Sequence, residues 1–440
     1  MEYVMKTGTN QEMKTTDDLL ERRQKHFAGS FLMYQSPVEI VRGEGVWLFD
    51  RQGNRYLDCY NNVASVGHCH PRVVEALSSQ AAVLNTHTRY LNDKIVDYAA
   101  HLAGTFPEGL DVCLFCCTGT EANELAMRIA RTVTGQKGAI VIEHAYHGNS
   151  TLIGELSTCT YSPTDLPPHV ATIEPPNTYR GSFRRGEPEL AEKFSSLADI
   201  AIKQLQDGEQ GVAAFICDAI FDTQGTLDAP ADYFRRVYQK IHAAGGLCIA
   251  DEVQSGFGRL GDHMWGFEHY DVIPDIVTLG KPMGDGHPIA AVVTRREIAD
   301  DFMQKVIYFN TYGGNPVSAA VAEAVLSVIE EEKLQQNVHD VGLYLRKQLD
   351  ALAEKHSLIG DIRGSGLFIG IELVKDQQTM EPAFIEAYTI ADQMKNEGIL
   401  IGSTGRFGNV IKIRPPLVFS KENADLLTQK LDEQLSKIVK

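Results

Sequence analysis

Lys281 is the residue whose type and setting most clearly permit chemistry. It follows the short apolar run 276–279 and stands between Gly280 and Pro282, in a turn that delivers it to the end of a buried strand. A lysine held in a dry cleft has a lowered pKa, and its neutral amine attacks carbonyl carbons. Most lysines instead extend along the surface into water, but the glycine and proline on either side favour a fixed position. The pattern predicts a nucleophile.

A carboxylate occupies an equally unusual position. Asp251 lies near the end of the strongly apolar strand predicted at 247–252. A carboxylate there is costly unless it meets a cation. For an isolated acid a structural ion pair is the better interpretation, but Lys281 follows one strand later in the chain. Val253 and Gln254 come directly after the acid, before a glycine-rich loop.

A phosphate site is indicated where another predicted strand ends and a helix begins. Gly119 and Thr120 lie in this turn, and Thr118 with Glu121 has the spacing of a capping box. The free N–H groups and positive dipole end of a helix N-terminus bind anions, and glycine permits a close approach. The alternative is a well-capped helix that binds nothing.

A flat ligand is suggested by the end of the strand predicted at 138–144, which delivers Tyr146 and His147. An aromatic side chain there stacks on a planar molecule, although an aromatic at the edge of the core is the simpler interpretation of this feature alone. Together, the lysine, the carboxylate, the phosphate turn and the aromatic require a ligand with a planar ring, a phosphate, a basic ring nitrogen and an aldehyde. Pyridoxal phosphate has all four.

Apolar runs alternate with helical patterns through the middle of the chain. This alternation predicts an α/β fold with a mostly parallel mixed sheet covered by helices on both faces. Such sheets bind ligands at the carboxyl ends of their strands, where all four features lie. The predicted strands of this sheet are 112–117, 138–144, 212–218, 247–252, 275–280 and 289–294.

The pattern changes after about residue 315, where longer helices and shorter strands predict a smaller α+β domain. The N-terminal segment contains a predicted β-meander, which is expected to join that smaller domain, and the first 20 or so residues read as a loose arm. The predicted divisions are therefore 1–60 for the arm and meander, 61–320 for the large cofactor-binding domain and 321–440 for the small domain.

The composition excludes several classes of function. The 440 residues carry a net charge of −17, which disfavours nucleic acids and anionic membranes as partners. The sequence has no apolar run of about 18 residues and no signal-peptide core, so a cytoplasmic location is expected. Cys113, Cys116 and Cys117 look like part of a zinc knuckle, but no second ligand pair follows at a fitting distance. No metal site is predicted.

Five stretches follow one another along the chain: TGTEANELAMRIAR, AYHG, IADEVQSGFGRLG, VTLGKPMGDGHPIAAVV and IRGSGLFIGIELVKD. As a set they resemble the class III pyridoxal-phosphate-dependent aminotransferases, in the family's order, from about residue 30 to the C-terminus. LDCYNNVASVGHCHP and FNTYGGNPVS are most similar to the alanine–glyoxylate aminotransferase 2-like branch, which also contains ethanolamine-phosphate phospho-lyases. The resemblance implies fold type I of the pyridoxal-phosphate enzymes.

The resemblance implies a role for each candidate residue. Lys281 would link covalently to the cofactor aldehyde and shuttle a proton, while Asp251 would keep the pyridine nitrogen protonated, which makes the ring an electron sink. Thr311 resembles the family threonine that reaches the phosphate of the neighbouring subunit, so a homodimer with a shared site is expected, with a tetramer as the alternative. The other implied contacts are Val253 and Tyr146 on the ring faces, Gln254 near the ring hydroxyl, His147 beside the stacking ring, and Gly119 and Thr120 at the phosphate.

The chain also departs from the family pattern. Asp218 stands where the family has the glutamate of Glu-Pro-Val-Gln, and its shorter reach puts that cofactor contact in question. Thr118 replaces a common serine. Arg406 lies in the loop where amine transaminases carry a mobile arginine for an oxo-acid carboxylate, a group that a guanidinium fork suits; an exposed loop arginine is the equal alternative. Lys412 and Arg414 are further candidates, for which structural roles are favoured.

Two activities follow from the resemblance. The favoured one transfers an amino group from a terminal amine or amino acid to an oxo acid such as pyruvate or glyoxylate, with Lys281 as nucleophile and proton carrier. The alternative is a phospho-lyase acting on ethanolamine phosphate or a similar phosphorylated amino alcohol. That reaction needs a second anion site, to which Arg89 and Arg406 would contribute. A cofactor-sensing DNA-binding regulator is disfavoured by the acidic charge.

Overall fold

A seven-stranded sheet lies at the centre of the structure, a computed structural model that describes residues 16–29, 32–160 and 165–438. The strands of the described chain are β1 (Ile40–Glu44), β2 (Trp47–Asp50), β3 (Arg55–Asp58), β4 (Val112–Cys116), β5 (Ala139–Ile142), β6 (Val170–Ile173), β7 (Ala214–Asp218), β8 (Leu247–Asp251), β9 (Ile276–Leu279), β10 (Ala290–Thr294), β11 (Ile359–Ser365), β12 (Phe368–Leu373), β13 (Ile399–Leu400), β14 (Gly402–Thr404) and β15 (Val410–Ile413).

Twelve α-helices accompany these strands in the described ranges. They are α1 (Thr16–His26), α2 (Pro71–Ala81), α3 (Asp93–Gly104), α4 (Gly119–Thr134), α5 (Thr151–Leu156), α6 (Leu190–Asp207), α7 (Tyr233–Ala243), α8 (Arg296–Lys305), α9 (Pro316–Glu331), α10 (Leu334–Lys355), α11 (Phe384–Asn396) and α12 (Lys421–Ile438). No helix of the described chain is both long enough and apolar enough to cross a membrane.

The central sheet has the strand order β4-β10-β9-β8-β7-β5-β6. Strand β10 runs antiparallel to both of its neighbours, β4 and β9, and the β9-β8-β7-β5-β6 pairs are all parallel. The carboxyl ends of β4, β5, β7, β8 and β9 therefore meet at one edge. The mostly parallel sheet predicted from the sequence is confirmed.

Both faces of this sheet are buried because its strands are apolar on both sides. Within β5, Ala139 and Val141 pack in the cluster that contains residues of α4, α5 and α8. Ile140 and Ile142 alternate with them and pack in the cluster that contains residues of α6, α7 and α9. Since successive side chains of a strand point to opposite faces, the two helix layers lie on opposite sides of the sheet.

The C-terminal part of the chain builds a second, antiparallel sheet with the order β11-β12-β15-β14. The N-terminal strands β1, β2 and β3 form an antiparallel meander, and β3 pairs in parallel with β13 from the C-terminal region. This pairing joins the N-terminal meander to the C-terminal region, so residues far apart in sequence share one small sheet.

The sequence patterns missed some elements. Strands β6, β11 and β14 were not predicted, and neither were helices α5, α8 and α12. Residues 16–20, expected to belong to a loose arm, instead form the start of the amphipathic helix α1; the rest of the predicted arm, residues 1–15, lies outside the described residues. The domain boundaries remain predictions. Helix α9 continues without interruption across the boundary predicted between residues 320 and 321.

Candidate active site

A cavity of about 230 Å³ opens where the carboxyl ends of the central strands meet. Its wall contains every candidate cofactor residue predicted from the sequence except Thr311. The lining residues are Thr118, Gly119, Thr120, Asn123, Tyr146, His147, Gly148, Asp218, Asp222, Thr223, Asp251, Val253, Gln254 and Lys281. We call this space the cofactor cavity.

Lys281 begins a short 3₁₀ turn (Lys281–Gly284) directly after β9. Two contacts from the segment after the meander fix this turn: the Ser65 hydroxyl donates to the carbonyl of Pro282 at 2.8 Å, and the Val66 N–H donates to the Asp285 carboxylate at 3.0 Å. Burial lowers the pKa of the Lys281 amine, and the positive charge of Arg414 lowers it further. The neutral amine is therefore easier to reach than in an exposed lysine.

The Asp251 carboxylate is buried at the end of β8, and its hydrogen bonds fix its orientation. One oxygen accepts from His147 Nδ1 at 2.7 Å and from Asn123 Nδ2 at 2.9 Å, and the other accepts from the backbone N–H of Val253 at 3.1 Å. Three donors compensate for much of the cost of burying the charge. The carboxylate is thus held rigidly in the wall of the cofactor cavity.

His147 carries a buried polar atom that has no protein partner. Its Nδ1 donates to the Asp251 carboxylate, and its Nε2 is buried with no hydrogen bond. A buried polar atom without a partner is uncommon and calls for a ligand or a functional explanation. A bound group that hydrogen-bonds to this nitrogen would satisfy it.

The start of α4 forms a narrow cradle. The Thr118 hydroxyl accepts from the N–H of Glu121 at 3.1 Å and so caps the helix. The first hydrogen bond of the helix is the one from the N–H of Ala122, so the N–H groups of residues 119 and 120 come before it and take no part in the helical bonding. A Cβ added at Gly119 would lie 3.1 Å from two methyl groups of Val253. The cradle fits a phosphate at a helix N-terminus, and any side chain at position 119 would press against Val253 unless Val253 shifted.

Asp218 ends β7 and turns back onto its own loop. Its carboxylate accepts from the N–H groups of Ile220 at 3.0 Å and Asp222 at 3.3 Å. Burial, together with the charges of Asp222 and Asp251, raises the pKa of Asp218 to about 7. Near neutral pH this carboxyl therefore holds its proton far more readily than an exposed aspartate.

A charged network that the sequence did not predict borders the same cavity. Lys412 Nζ donates to the buried Asp222 carboxylate at 3.0 Å, and Gln254 Nε2 donates to its other oxygen at 2.8 Å. Arg414 Nη1 donates to Gln254 Oε1 at 2.6 Å, and two further guanidinium nitrogens donate to the carbonyl of Tyr60. Strand β15 and its continuation are thereby tied to the central sheet.

The pKa values of this network follow from its charges. Burial would raise the pKa of Asp222, but the cations Lys412 and Arg414 outweigh it and hold that pKa below its usual value. Burial lowers the pKa of Lys412 to about 8, in spite of the opposing effect of Asp222. Asp222 is therefore ionised and paired with two buried cations, which leaves this group with a net positive charge.

Four residues of the cavity lining, Asn123, Gly148, Asp222 and Thr223, escaped the sequence analysis. Asn123 is fully buried on α4 among Ala122, Leu125 and Ala126. A polar residue inside that apolar helical face was a usable signal. Asp222 follows Asp218 by four residues in a loop, and the sequence contains no sign that Lys412, far along the chain, would meet it.

Three other candidates lie away from the cofactor cavity in this chain. Thr311 is exposed on the loop before α9. Arg89 is exposed and stacks over the Phe309 ring at 4.0 Å. Arg406 lines a neighbouring cavity, with its Nη1 3.7 Å from an oxygen of Glu143.

Possible metal ligands occur together at one place in the described residues, namely His242, Cys248 and Asp275. One oxygen of Asp275 already accepts from His242 Nε2 and from the N–H of Cys248, both at 2.7 Å. Burial raises the pKa of the Cys248 thiol well above its ordinary value, which opposes the thiolate form that binds metals. These contacts explain the cluster as a structural one.

The family model described as "Aminotransferase class-III" matches residues 33–435. The chain belongs to the class III aminotransferase family. It is 45% identical to an alanine–glyoxylate aminotransferase 2-like protein of Drosophila melanogaster, over 94% of this chain and 86% of that protein. It is 40% identical to ethanolamine-phosphate phospho-lyase homolog 1 of Caenorhabditis elegans, over 98% of this chain and 95% of that protein.

Solved structures support the same conclusion. A phospholyase from Arthrobacter in complex with phosphoethanolamine has a TM-score of 0.92 and 43% identity, and the match covers 95% of this chain and 99% of that one. A transaminase from the marine bacterium Virgibacillus has a TM-score of 0.86 and 26% identity, with coverage of 96% and 98%. The chain is thus a pyridoxal-phosphate-dependent aminotransferase of fold type I, as predicted.

The residues of the cofactor cavity fit this cofactor. The cradle at Gly119 suits its phosphate, the fixed carboxylate of Asp251 suits a protonated ring nitrogen, and the unpartnered His147 Nε2 indicates a bound group nearby. When bound, pyridoxal phosphate supplies a ring that accepts the electrons left behind when a substrate carbon loses a proton.

We predict that Lys281→Ala loses its yellow colour on dialysis, because the amine that would hold the cofactor covalently is gone. Turnover should fall by about 10² to 10⁴ or more, since the proton carrier is also lost. Absorbance spectra before and after dialysis, with a rate assay, measure both effects. Lys305→Ala, which changes an exposed lysine on α8, should alter neither, and retained colour in Lys281→Ala would contradict the assignment.

We also predict a pH-dependent stabilisation by Asp218→Asn in the cofactor-free protein. The folded chain keeps the Asp218 proton up to about pH 7, whereas an unfolded aspartate releases it near ~3.9. Unfolding of the parent is therefore increasingly favoured as the pH rises between these values, and asparagine removes that effect. Thermal melts should coincide near pH 4 and separate by pH 8, with the variant more stable.

The control for that experiment is Asp300→Asn, which changes a half-exposed carboxylate on α8. Its melting temperature should differ from that of the parent by a constant amount across the pH range. If Asp218→Asn behaved in the same way, the Asp218 carboxyl would titrate normally, and the proposed effect of burial would be wrong.

Proposed function

We propose that this aminotransferase takes the amino group of a terminal amine or an amino acid and gives it to a small oxo acid such as pyruvate or glyoxylate. The observation that carries the proposal is the convergence of Lys281 and Asp251 on one cavity whose lining also includes Asp222, the partner of the buried cations Lys412 and Arg414. The first pair suits the amine chemistry, and the second pair suits an acid substrate.

In this proposal each residue of the chain has a defined task. Lys281 Nζ removes a proton from the substrate carbon and returns it at a second position, which its lowered pKa favours. Asp251, oriented by His147 and Asn123, stabilises positive charge on the ring nitrogen of the cofactor. Tyr146 and Val253, both in the cavity wall, cover the two faces of the ring.

The network at Asp222 supports an anionic substrate group. Lys412 and Arg414 together carry two positive charges against the single carboxylate of Asp222. In a buried site this excess is costly unless an anion balances it. A carboxylate of the oxo acid would do so, and it would be held near Lys281, whose pKa both Asp222 and Arg414 influence.

The same excess charge suits a phosphate, which keeps a phospho-lyase as the second candidate. The specific observation in its favour is the similarity to the Arthrobacter phospholyase, solved with phosphoethanolamine, at 43% identity and a TM-score of 0.92. A lyase would eliminate phosphate from a phosphorylated amino alcohol at the same lysine, without an acceptor acid.

A panel of substrates separates the two candidates. The holoenzyme is incubated with terminal amines or amino acids plus pyruvate or glyoxylate, and in parallel with ethanolamine phosphate alone while inorganic phosphate is measured. Transamination predicts turnover only when an oxo acid is present and no phosphate release. Phosphate release without an acceptor would instead establish the lyase.

The proposed working unit is a homodimer with a shared site. Exposed apolar side chains support it: Leu91 and Ile307 are almost fully exposed, and Tyr312 is 71% exposed. The two segments that carry them are adjacent, because the His87 and Phe309 rings lie 6.1 Å apart. An apolar surface of this kind marks an interface, and Thr311 lies within it.

The cytoplasmic location stays a prediction from the sequence. Two relatives have names that describe them as mitochondrial, alanine–glyoxylate aminotransferase 2 homolog 2 of Arabidopsis thaliana at 43% identity and alanine–glyoxylate aminotransferase 2 of Homo sapiens at 36%. The family therefore includes proteins named as mitochondrial.

We predict that Thr311→Ala weakens cofactor binding about tenfold or more, because a hydrogen bond to the charged phosphate of the partner's cofactor is lost. Fluorescence titration of the cofactor-free protein measures this, with the exposed Thr379→Ala as a control. Mixed dimers of Thr311→Ala and Lys281→Ala should regain one intact site, because both defects then fall in the same site. Absence of that recovery would show that Thr311 does not act across the dimer.

A further inference from the structure

A second cavity of about 330 Å³ lies beside the cofactor cavity. The two are separated by the loop after β7, in which Thr223 lines the cofactor cavity and Gln224 lines the second one. The hydroxyl of Thr223 donates to the carbonyl of His144 at 2.7 Å, and Gln224 Nε2 donates to the carbonyl of Glu143 at 3.2 Å. The dividing wall is therefore tied by hydrogen bonds to the segment that follows β5.

One side of the second cavity is formed by a guanidinium with an unused donor. Arg180 pairs with Glu372 and donates from Nη1 to the carbonyl of Met380 at 2.7 Å, while its Nη2 is buried without any partner. The aromatic ring of Phe407 covers the same guanidinium at 5.5 Å. A buried guanidinium N–H without an acceptor is unfavourable, and an anionic ligand would relieve it.

The other side offers a loose ion pair. Arg406 Nη1 and a Glu143 oxygen lie 3.7 Å apart, which is too far for a hydrogen bond, and both side chains are substantially exposed. Such a pair contributes little and opens readily. A ligand with both an anion and an ammonium group would satisfy the two side chains separately, each with a direct contact.

The charge balance favours such a zwitterion over a simple anion. The carboxylates in the wall are Glu143, Glu174 and Glu372, and the cations in the wall are Arg180 and Arg406. Behind the wall, Arg363 pairs with the second oxygen of Glu372 and also with Asp361, which in turn pairs with Arg185. The charges therefore cancel, and a ligand without net charge preserves that balance.

We infer that this cavity is a second binding site for a small zwitterionic amino compound, with its anionic group on Arg180 and Arg406 and its ammonium group on Glu143. Such compounds are also the donors and products of the proposed reaction, on which this choice of ligand class rests. The site itself lies outside the cofactor cavity, and it binds its ligand without chemical change.

The test uses enzyme loaded with N-phosphopyridoxyl-alanine, a stable adduct that fills both the cofactor and the substrate positions. Calorimetric titration with alanine should then reveal one further site per chain. Ethanolamine phosphate, titrated in parallel, shows whether the anionic group that binds is a carboxylate, a phosphate or either. Propionate and ethylamine, which each carry only one of the two charges, should bind at least tenfold more weakly.

Three variants locate the site. Arg406→Met and Glu143→Gln should each weaken alanine binding at least tenfold, and Glu143→Gln should leave the weak binding of propionate unchanged. Arg235→Met, which alters a half-exposed arginine on α7, is the matched control and should bind alanine as the parent does. Thermal melts verify that each variant is folded.

Two results would overturn the inference: no heat of binding for alanine in the loaded enzyme, or binding that neither Arg406→Met nor Glu143→Gln weakens. Because the measurement needs no turnover, it is independent of the substrate panel above. Failure of transamination with every amine would contradict the proposed function. The second site would still be tested independently by the calorimetric titration.

Discussion

The structure depends above all on the compensation of buried charge at one edge of the central sheet. Three carboxyls, those of Asp218, Asp222 and Asp251, lie within a few residues of the ends of two neighbouring strands. The cost of burial is lowered differently for each: Asp218 retains its proton, Asp222 pairs with cations, and Asp251 accepts three hydrogen bonds. The basicity of Lys281 depends on all three, because each acts on it electrostatically.

This arrangement explains why so much of the surrounding fold is fixed by polar contacts. Asn123 joins three elements, since it donates to Asp251 and to the carbonyl of His147 and accepts from the hydroxyl of Thr278. These bonds connect α4 to the ends of β5, β8 and β9. Errors in the position of one strand would therefore disturb the carboxylate directly, and a rigid sheet is what keeps the geometry constant.

Much of the central sheet could be predicted from the sequence, because its strands are short apolar runs bounded by helical patterns. Lys281 and Asp251 stood out for the same reason, as charged residues at the ends of such runs. Elements with a weaker pattern were missed. Strand β6 lies at the edge of the sheet, and β11 contains two charged residues, Asp361 and Arg363, that are nevertheless buried.

The polar network around Asp222 could not be predicted, for a physical reason. Its members come from four separate parts of the chain, and only the folded arrangement brings Lys412 and Arg414 to the large sheet. The same limit applied to Arg406, whose loop position was visible but whose cavity was not. Local patterns report on strands and turns, whereas the partner of a buried charge is decided by tertiary packing.

The position of Lys412 and Arg414 has one more consequence. Lys412 lies in β15 and Arg414 directly follows it, in the C-terminal sheet. Lys281, whose pKa Arg414 lowers, directly follows β9 and Gly280 in the central sheet. Electrostatic influence between charges weakens with distance. A small separation of the two sheets would thus weaken the effect of Arg414 and make the amine of Lys281 more basic, so the protonation of this amine depends on how the two sheets are placed relative to each other.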